Sequence, residues 1–366
     1  MFTYILIFIL LCVLTIINEM TQSLQKKKIC YCLAAVIIVL FQGFRWRTGT
    51  DWEPYYNTFI YALTKNYYDL EPGFYVLNKV VRFFSSEYTV FLVLNSLLNL
   101  YLIKKFAENF GLFNSVAVLL YFFATTMFPI RMTTATCVFL CSYKYIENRN
   151  FYKYLFVLLI ATSIHASVIV ALPFYFIVNR EYSGKSLALI YVISCVLGFA
   201  TSFLFEGFLN LFSLDLFVQS DFASTKINAY MDENQESVRS LFSIILSLAN
   251  GLVFISLFSY IRNNFFSDSR SFSVLFYLYV FGLSLNRIVV NTIPYMARLS
   301  ALFTAGFVLM LLLGIRSAKA KYRPLLIVAL CIYLFLIFLR PLQGEYNDLY
   351  LPYYSIFSDS QRFSVY

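Results

Sequence analysis

The sequence predicts an all-α fold: a polytopic integral membrane bundle of about twelve transmembrane helices. Three observations carry this reading. The 366 residues are 60% hydrophobic and 13% charged, with a mean hydropathy of +0.73, a composition outside the soluble range. Apolar stretches recur that are long enough, with tilt or borrowed flanking residues, to cross a hydrocarbon core as helices. Alternating segments of the kind that build membrane barrels do not occur in the sequence.

In chain order the apolar stretches fall at 2–18, 29–43, 88–106, 112–130, 131–147, 151–165, 166–179, 185–205, 240–260, 271–292, 298–315 and 324–340. The first has no basic residue ahead of it, which argues against a cleaved signal peptide. The second follows "QKKK" at 25–28 and runs into the charged stretch "FRWRTGTDWEPYYNTF" at 44–59. Pro129 interrupts the fourth, and Arg131 opens the fifth in "MFPIRMTTATC". The sixth and seventh meet at His165, the single histidine, in "ATSIHASVIV". Arg287 ends the tenth beside Asn286 and Asn291, Arg298 opens the eleventh, and Arg340 ends the last before a tail containing "YLPYYSIF". The whole of 1–366 forms one membrane domain, with two longer connections at 44–87 and 206–239.

Orientation follows from the basic residues. With both termini facing outward, on the periplasmic side, the cytoplasmic connections carry 16 Lys and Arg against 5 acids, and the outward side 12 against 14. This is the positive-inside asymmetry. Arginine outnumbers lysine nine to three outside, whereas lysine leads ten to six inside. Lysine is a generic hydrated anchor; the guanidinium is a rigid fork matched to phosphate or carboxylate oxygens. Snorkelling at helix ends accounts for single arginines, while several on one leaflet point to a shared anion. The seven cysteines lie in or beside apolar segments. Cys137 and Cys141 share a helix face without further ligands nearby, and Cys30 and Cys32 are misspaced for a redox pair, so none is given a role. Much of the content of 30 Tyr and 41 Phe is interfacial belt and lipid-facing filler.

The 44–87 connection holds the charged motif and then "LEPGFYVLNKVVRFF". Pro72-Gly73 marks a turn. Phe74, Val76, Leu77, Val80, Val81 and Phe84 then fall on one side of a helix that lies along the membrane surface or packs on the bundle. The 206–239 connection is either a structural cap or a lid. In the charged motif, "TDWE" at 50–53 forms a capping box with Thr50 as N-cap and Glu53 at N3; a helix beginning at Pro54 is the competing reading. Under the first, the macrodipole and Arg45 and Arg47 keep Asp51 ionised, which makes it an orienting group. A salt bridge to Arg45 or Arg47 is its structural alternative. His165 is the better general base, with a hydrogen-bonded interfacial histidine as the alternative.

"RWRTGTDWEPYY" after the second span resembles the signature of the EpsG family of membrane polysaccharide polymerases, Wzy-type proteins of capsule and O-antigen assembly. The Glu71-Pro72-Gly73-Phe74 turn, Arg131 opening a small-residue and Thr-rich helix, "IHAS" at 164–167 and Pro352-Tyr353 extend the resemblance. It implies glycosyl transfer on the periplasmic face of a bacterial inner membrane. A glycan on undecaprenyl pyrophosphate passes en bloc to the non-reducing-end sugar of a new lipid-linked repeat unit, and undecaprenyl pyrophosphate leaves. Such a leaving group calls for charge neutralisation and alignment of the acceptor hydroxyl. Arg45, Arg47, Arg131, Arg287 and Arg298 are then the candidate clamps, His165 takes the hydroxyl proton, Asp51 positions the acceptor or an arginine, and Tyr55 supplies a sugar hydrogen bond or stacking. The expected partners are donor and acceptor lipid-linked glycans, the bilayer and a chain-length regulator, with no nucleic acid. No cofactor or metal is expected: Asp51-x-Glu53 has a common spacing, and the flanking arginines repel a cation.

Two other classes fit the many spans. A flippase or exporter of lipid-linked sugars would carry charge at mid-depth and internal repeats. A membrane O-acyltransferase with a cytoplasmic donor would expose its histidine inward, whereas His165 falls outward.

Overall fold

Apolar runs with few breakers leave the backbone to satisfy its own polar groups, and in a lipid setting the helix does so within one segment. The computed structural model describes residues 1–49, 51–64, 71–128, 130–211, 241–290, 299–344 and 347–358. Among them regular structure is helical, apart from one isolated bridge between Arg45 and Ser355. The first helices are α1 (Phe2–Met20), α2 (Leu24–Gly43), α3 (Trp52–Ile60), α4 (Pro72–Phe84), α5 (Tyr88–Asn109), α6 (Val116–Thr125), α7 (Arg131–Leu140), α8 (Tyr143–Glu147) and α9 (Phe151–Ile164). A 3-10 turn (Ala166–Ala171) leads to α10 (Phe174–Val178), α11 (Gly184–Leu211), α12 (Leu241–Phe265), α13 (Arg270–Val289), α14 (Ala301–Thr304) and α15 (Gly306–Ser317). The chain closes with α16 (Arg323–Gln343) and α17 (Asn347–Tyr350).

Four helical segments are long and apolar enough to cross a membrane: Phe2–Met20, Tyr88–Asn109, Arg270–Val289 and Ala320–Gln343. Shorter apolar helices accompany them. The protein is an all-α, membrane-embedded helical protein. The expected stretch 112–130 is helical only over the 10 residues of α6, about 15 Å of rise against a core of about 30 Å. The expected 131–147 is divided into α7 and α8, and the expected 166–179 into the 3-10 turn and α10.

The helices group into two compact units, Met1–Ile169 with Leu311–Tyr366, and Val170–Met310. In the first, α1 packs on α2, α6 and α16, α2 on α5, α5 on α7, and α9 on both α7 and α4. Polar side chains buried in this unit bond to one another and to the backbone. Glu19 accepts from Arg316 at 3.0 Å, and Asn18 Nδ2 donates to the carbonyls of Lys27 and Asn114, both at 3.0 Å. In the second unit α13 packs against α10, α11, α12 and α14.

Three local expectations are corrected. The helix after the charged motif starts at Trp52, so neither start inferred from sequence holds. Asp51 is the N-cap, in the left-handed region at φ 58, and its side chain makes no cap bond. Thr50 lies outside the described residues. Pro72-Gly73 is the first turn of α4 rather than a separate turn, because proline at N1 has no N–H to leave unsatisfied. The apolar face of α4 divides: Phe74 is buried with Asn78, while Val76, Val80, Phe83 and Phe84 are exposed. Of 206–239, the first part continues α11 to Leu211, and the remainder lies outside the described residues.

Candidate active site

Arg131 is the first residue of α7, and buried side chains fix that helix end. Thr134 Oγ1 donates to Asn95 Oδ1 on α5 at 2.9 Å. Just before α7, the carbonyl of Met127 accepts from Gln42 Nε2 of α2 at 2.9 Å, and Gln42 Oε1 accepts from Ser96 Oγ at 2.8 Å. The chain is thus held where it leaves α6 and re-enters helical geometry. A helix N-terminus carries partial positive charge, which the arginine augments.

Glu71 is the N-cap of α4, yet it makes no side-chain cap bond. Its carboxylate instead bridges two other elements. Oε2 accepts from Arg131 Nη1 at 3.0 Å, and Oε1 accepts from the backbone N–H of Ala166 at 3.0 Å. Gly73 makes the second contact reachable. A Cβ there would lie 2.3 Å from Ser163 Oγ and 2.7 Å from the Ser163 carbonyl oxygen, so α4 approaches the last turn of α9 as closely as only glycine allows.

His165 is the C-cap of α9, outside both flanking helical segments, with extended backbone at φ −149. Its ring Nδ1 lies 2.7 Å from Ser167 Oγ, and Ser167 Oγ donates to Met132 Sδ at 3.8 Å. In the Ser167–His165 pair either atom donates, according to which ring nitrogen carries the proton. Burial, and secondly the Arg131 charge, hold the imidazole below its ordinary range, against the opposing pull of Glu71. It is therefore a neutral base near pH 7. The Tyr55 ring lies 5.8 Å from the Arg131 guanidinium carbon and packs edge-on against Phe74 at 5.4 Å. Arg131 Nε is buried without an acceptor among the described residues.

Of the residues singled out from sequence, Arg131, His165 and Tyr55 come together. Arg45 does not join them as an exposed clamp. It is 1% exposed, lies over Phe128 at 4.6 Å, and donates through Nη1 to the Thr48 carbonyl at 3.1 Å. The C-terminal tail covers the loop around it. Trp46 N–H donates to the Tyr354 carbonyl at 2.9 Å, Gly49 N–H to that of Leu349 at 2.7 Å, and Ile356 N–H to that of Phe44 at 2.9 Å. Gly49, at φ 95, has Arg45 Nη1 and Phe128 where a side chain would begin. Arg47 and Asp51 both stand at positive φ, 43 and 58. Such strain in non-glycine residues marks a loop held by its surroundings. Trp52 stacks on Tyr56 at 4.9 Å and meets Tyr88 edge-on at 5.5 Å, which fixes α3 behind the loop. Arg287 belongs to the second unit, where its Nε donates to Tyr191 Oη at 3.1 Å. Arg298 lies outside the described residues.

Sequence reasoning counted Glu71 and Ser167 only among the motifs of the resemblance and gave neither a chemical role. Glu71 sits before Pro-Gly and so counts as part of a turn, and its two partners are 60 and 95 residues away. Ser167, at i+2 from the single histidine, carried the one local signal that could have been used.

Among known proteins, a family model described as the EpsG family matches residues 28–355. No curated relative and no solved structure matches the chain.

Proposed function

The chain belongs to the EpsG family, and from that premise we propose that it polymerises oligosaccharide repeat units carried on undecaprenyl pyrophosphate at the periplasmic face of a bacterial inner membrane. Family membership together with the apolar helices places it in membrane-bound polysaccharide biosynthesis. The observation that carries the finer reading is the bridge through Glu71, which brings a phosphate-seeking guanidinium beside a neutral imidazole.

In this reading His165 Nε2 takes the proton of the acceptor hydroxyl as its oxygen attacks the anomeric carbon of the donor glycan. The bond from that carbon to the diphosphate oxygen breaks, and undecaprenyl pyrophosphate leaves with the bonding pair. The Arg131 guanidinium stabilises the charge that develops on the diphosphate. In this reading Nδ1–H donates to Ser167 Oγ, which leaves the Nε2 lone pair free. Tyr55 supplies a sugar contact. Arg47 and Asp51 are substrate contacts on the loop that the tail holds, Asp51 orienting the acceptor, and Arg45 organises that loop from within. Arg287, taken within its own unit, is a candidate diphosphate contact, and Arg298, outside the described residues, stays a candidate from the sequence alone.

The test is a strain lacking this chain. Surface lipid carrying a single repeat unit is the expected outcome. A strain that exports no repeat unit at all would assign the chain to flipping instead, and unaltered long glycan would remove it from the pathway.

A further inference from the structure

We propose that Glu71 is a positioning residue of this site: one carboxylate oxygen holds Arg131 and the other holds the chain at Ala166, so that guanidinium and imidazole stay in register. The proposal rests on the polymerase reading above and adds a residue to it.

The carboxylate is not needed where its sequence position would place it. As the N-cap of α4 it makes no side-chain cap bond, although that is the ordinary use of a polar side chain there. Both oxygens go elsewhere, to the first residue of α7 and to the peptide that follows His165. The side chains of the Arg131–Glu71 pair are 22% and 18% exposed, so the pair is partly withdrawn from the screening that makes surface ion pairs weak. Charge-assisted bonds of this kind are the stronger class and have defined geometry. The close seat of Gly73 on Ser163 fixes the backbone from which Glu71 reaches.

The division of donors on Arg131 also fits. Glu71 engages Nη1. A guanidinium has five N–H donors, so a carboxylate on one side orients the remainder towards a second anion. Two charged groups act on His165: Arg131 from the start of α7 and Glu71 from the cap of α4, with opposite signs. The same carboxylate that sets the geometry therefore tempers the field at the base.

The chain has one histidine, so its titration is readable as a single signal. The protein is prepared on a histidine-free tag with isotopically labelled histidine in lipid nanodiscs, and the ring resonances are followed against pH. Polymerisation of lipid-linked repeat units is assayed in parallel. Glu71→Gln keeps the shape and removes the charge. Its expected result is a histidine midpoint lower than in the wild type, with turnover down on the order of tenfold to a hundredfold, the scale of a misplaced reacting group. Arg131→Gln should move the midpoint up.

Ala166→Pro is the second variant. It replaces the N–H that donates to Glu71 with a ring carbon and so displaces the carboxylate from this peptide, at the first residue of a 3-10 turn and after an extended residue, both compatible with proline. It should lower turnover and move the midpoint in the direction of Glu71→Gln, and it decides the matter if Glu71→Gln does not fold. Wild-type turnover in either variant overturns the proposal. So does reduced turnover with an unmoved midpoint, which would make the ion pair a support for folding alone. The titration needs no turnover: a wild-type chain that polymerises nothing sinks the polymerase reading, while the midpoints still judge Glu71.

Discussion

A guanidinium has more donors than one carboxylate uses, and this separates arginine from lysine at position 131. Lysine could still pair with Glu71, but as a point charge it keeps no oriented donor for a second anion. Arg131→Lys is therefore expected to lose nearly as much turnover as Arg131→Ala, on the order of a hundredfold or more, the scale of removing one preorganised donor to a developing negative charge. Full activity of the lysine variant, measured on lipid-linked repeat units, would take Arg131 out of the clamp. The pH profile gives a second prediction with a fixed sign. His165 must be neutral to accept a proton, and burial together with Arg131 holds its pKa below the ordinary imidazole range. Activity is then present above that lowered value and is lost as pH falls through it, so the acid limb of turnover should lie below the usual histidine range. An acid limb at or above that range contradicts the assignment. Arg131 and His165 were legible in the sequence because a charge beside an apolar run is costly and so conspicuous. Glu71 was not, because what distinguishes it is a pair of partners far away in the chain. The burial of Arg45 was not legible for the same reason. Next to a span it looks interfacial, yet a tail some three hundred residues later closes over it.

At the scale of elements, the site depends on two short-range fits. One is the interruption between α6 and α7, where Gln42 and Asn95 hold a non-helical segment and the helix start that follows. Hydropathy counts apolar residues and is blind to such a break, which is why two full spans were expected where α6 has 10 residues and α7 another 10. The other is the seat of α4 on α9 at Gly73. Gly73→Ala should cost about 1–3 kcal/mol through overpacking and lift Glu71 away from Ala166. The expected outcome is a lower melting temperature in detergent and shorter glycan products. An alanine variant with wild-type melting and product length would show that α4 has another way to approach. The one-sided apolar pattern of α4 correctly indicated a helix, but not which side would be covered. Phe74 and Asn78 turn inward and Phe83 and Phe84 stay exposed, in a helix packed on α9, α3 and α5.

At the scale of the molecule, composition and apolar run length were enough to give an all-α membrane protein, and the motif around Asp51 was enough to give the family that the match over 28–355 bears out. The helix count, the orientation and the lipid-linked substrate are further steps, and the proposed reaction is transfer of a glycan from a lipid diphosphate to a sugar hydroxyl. The most direct measurement places the purified chain in lipid nanodiscs with a single kind of undecaprenyl-pyrophosphate-linked repeat unit and follows product length and released lipid diphosphate together. The account predicts a ladder of lengthening glycans with one undecaprenyl pyrophosphate released per linkage, abolished in Arg131→Ala. Repeat units that stay single in the presence of folded wild-type protein, or a ladder undiminished by Arg131→Ala, would contradict it.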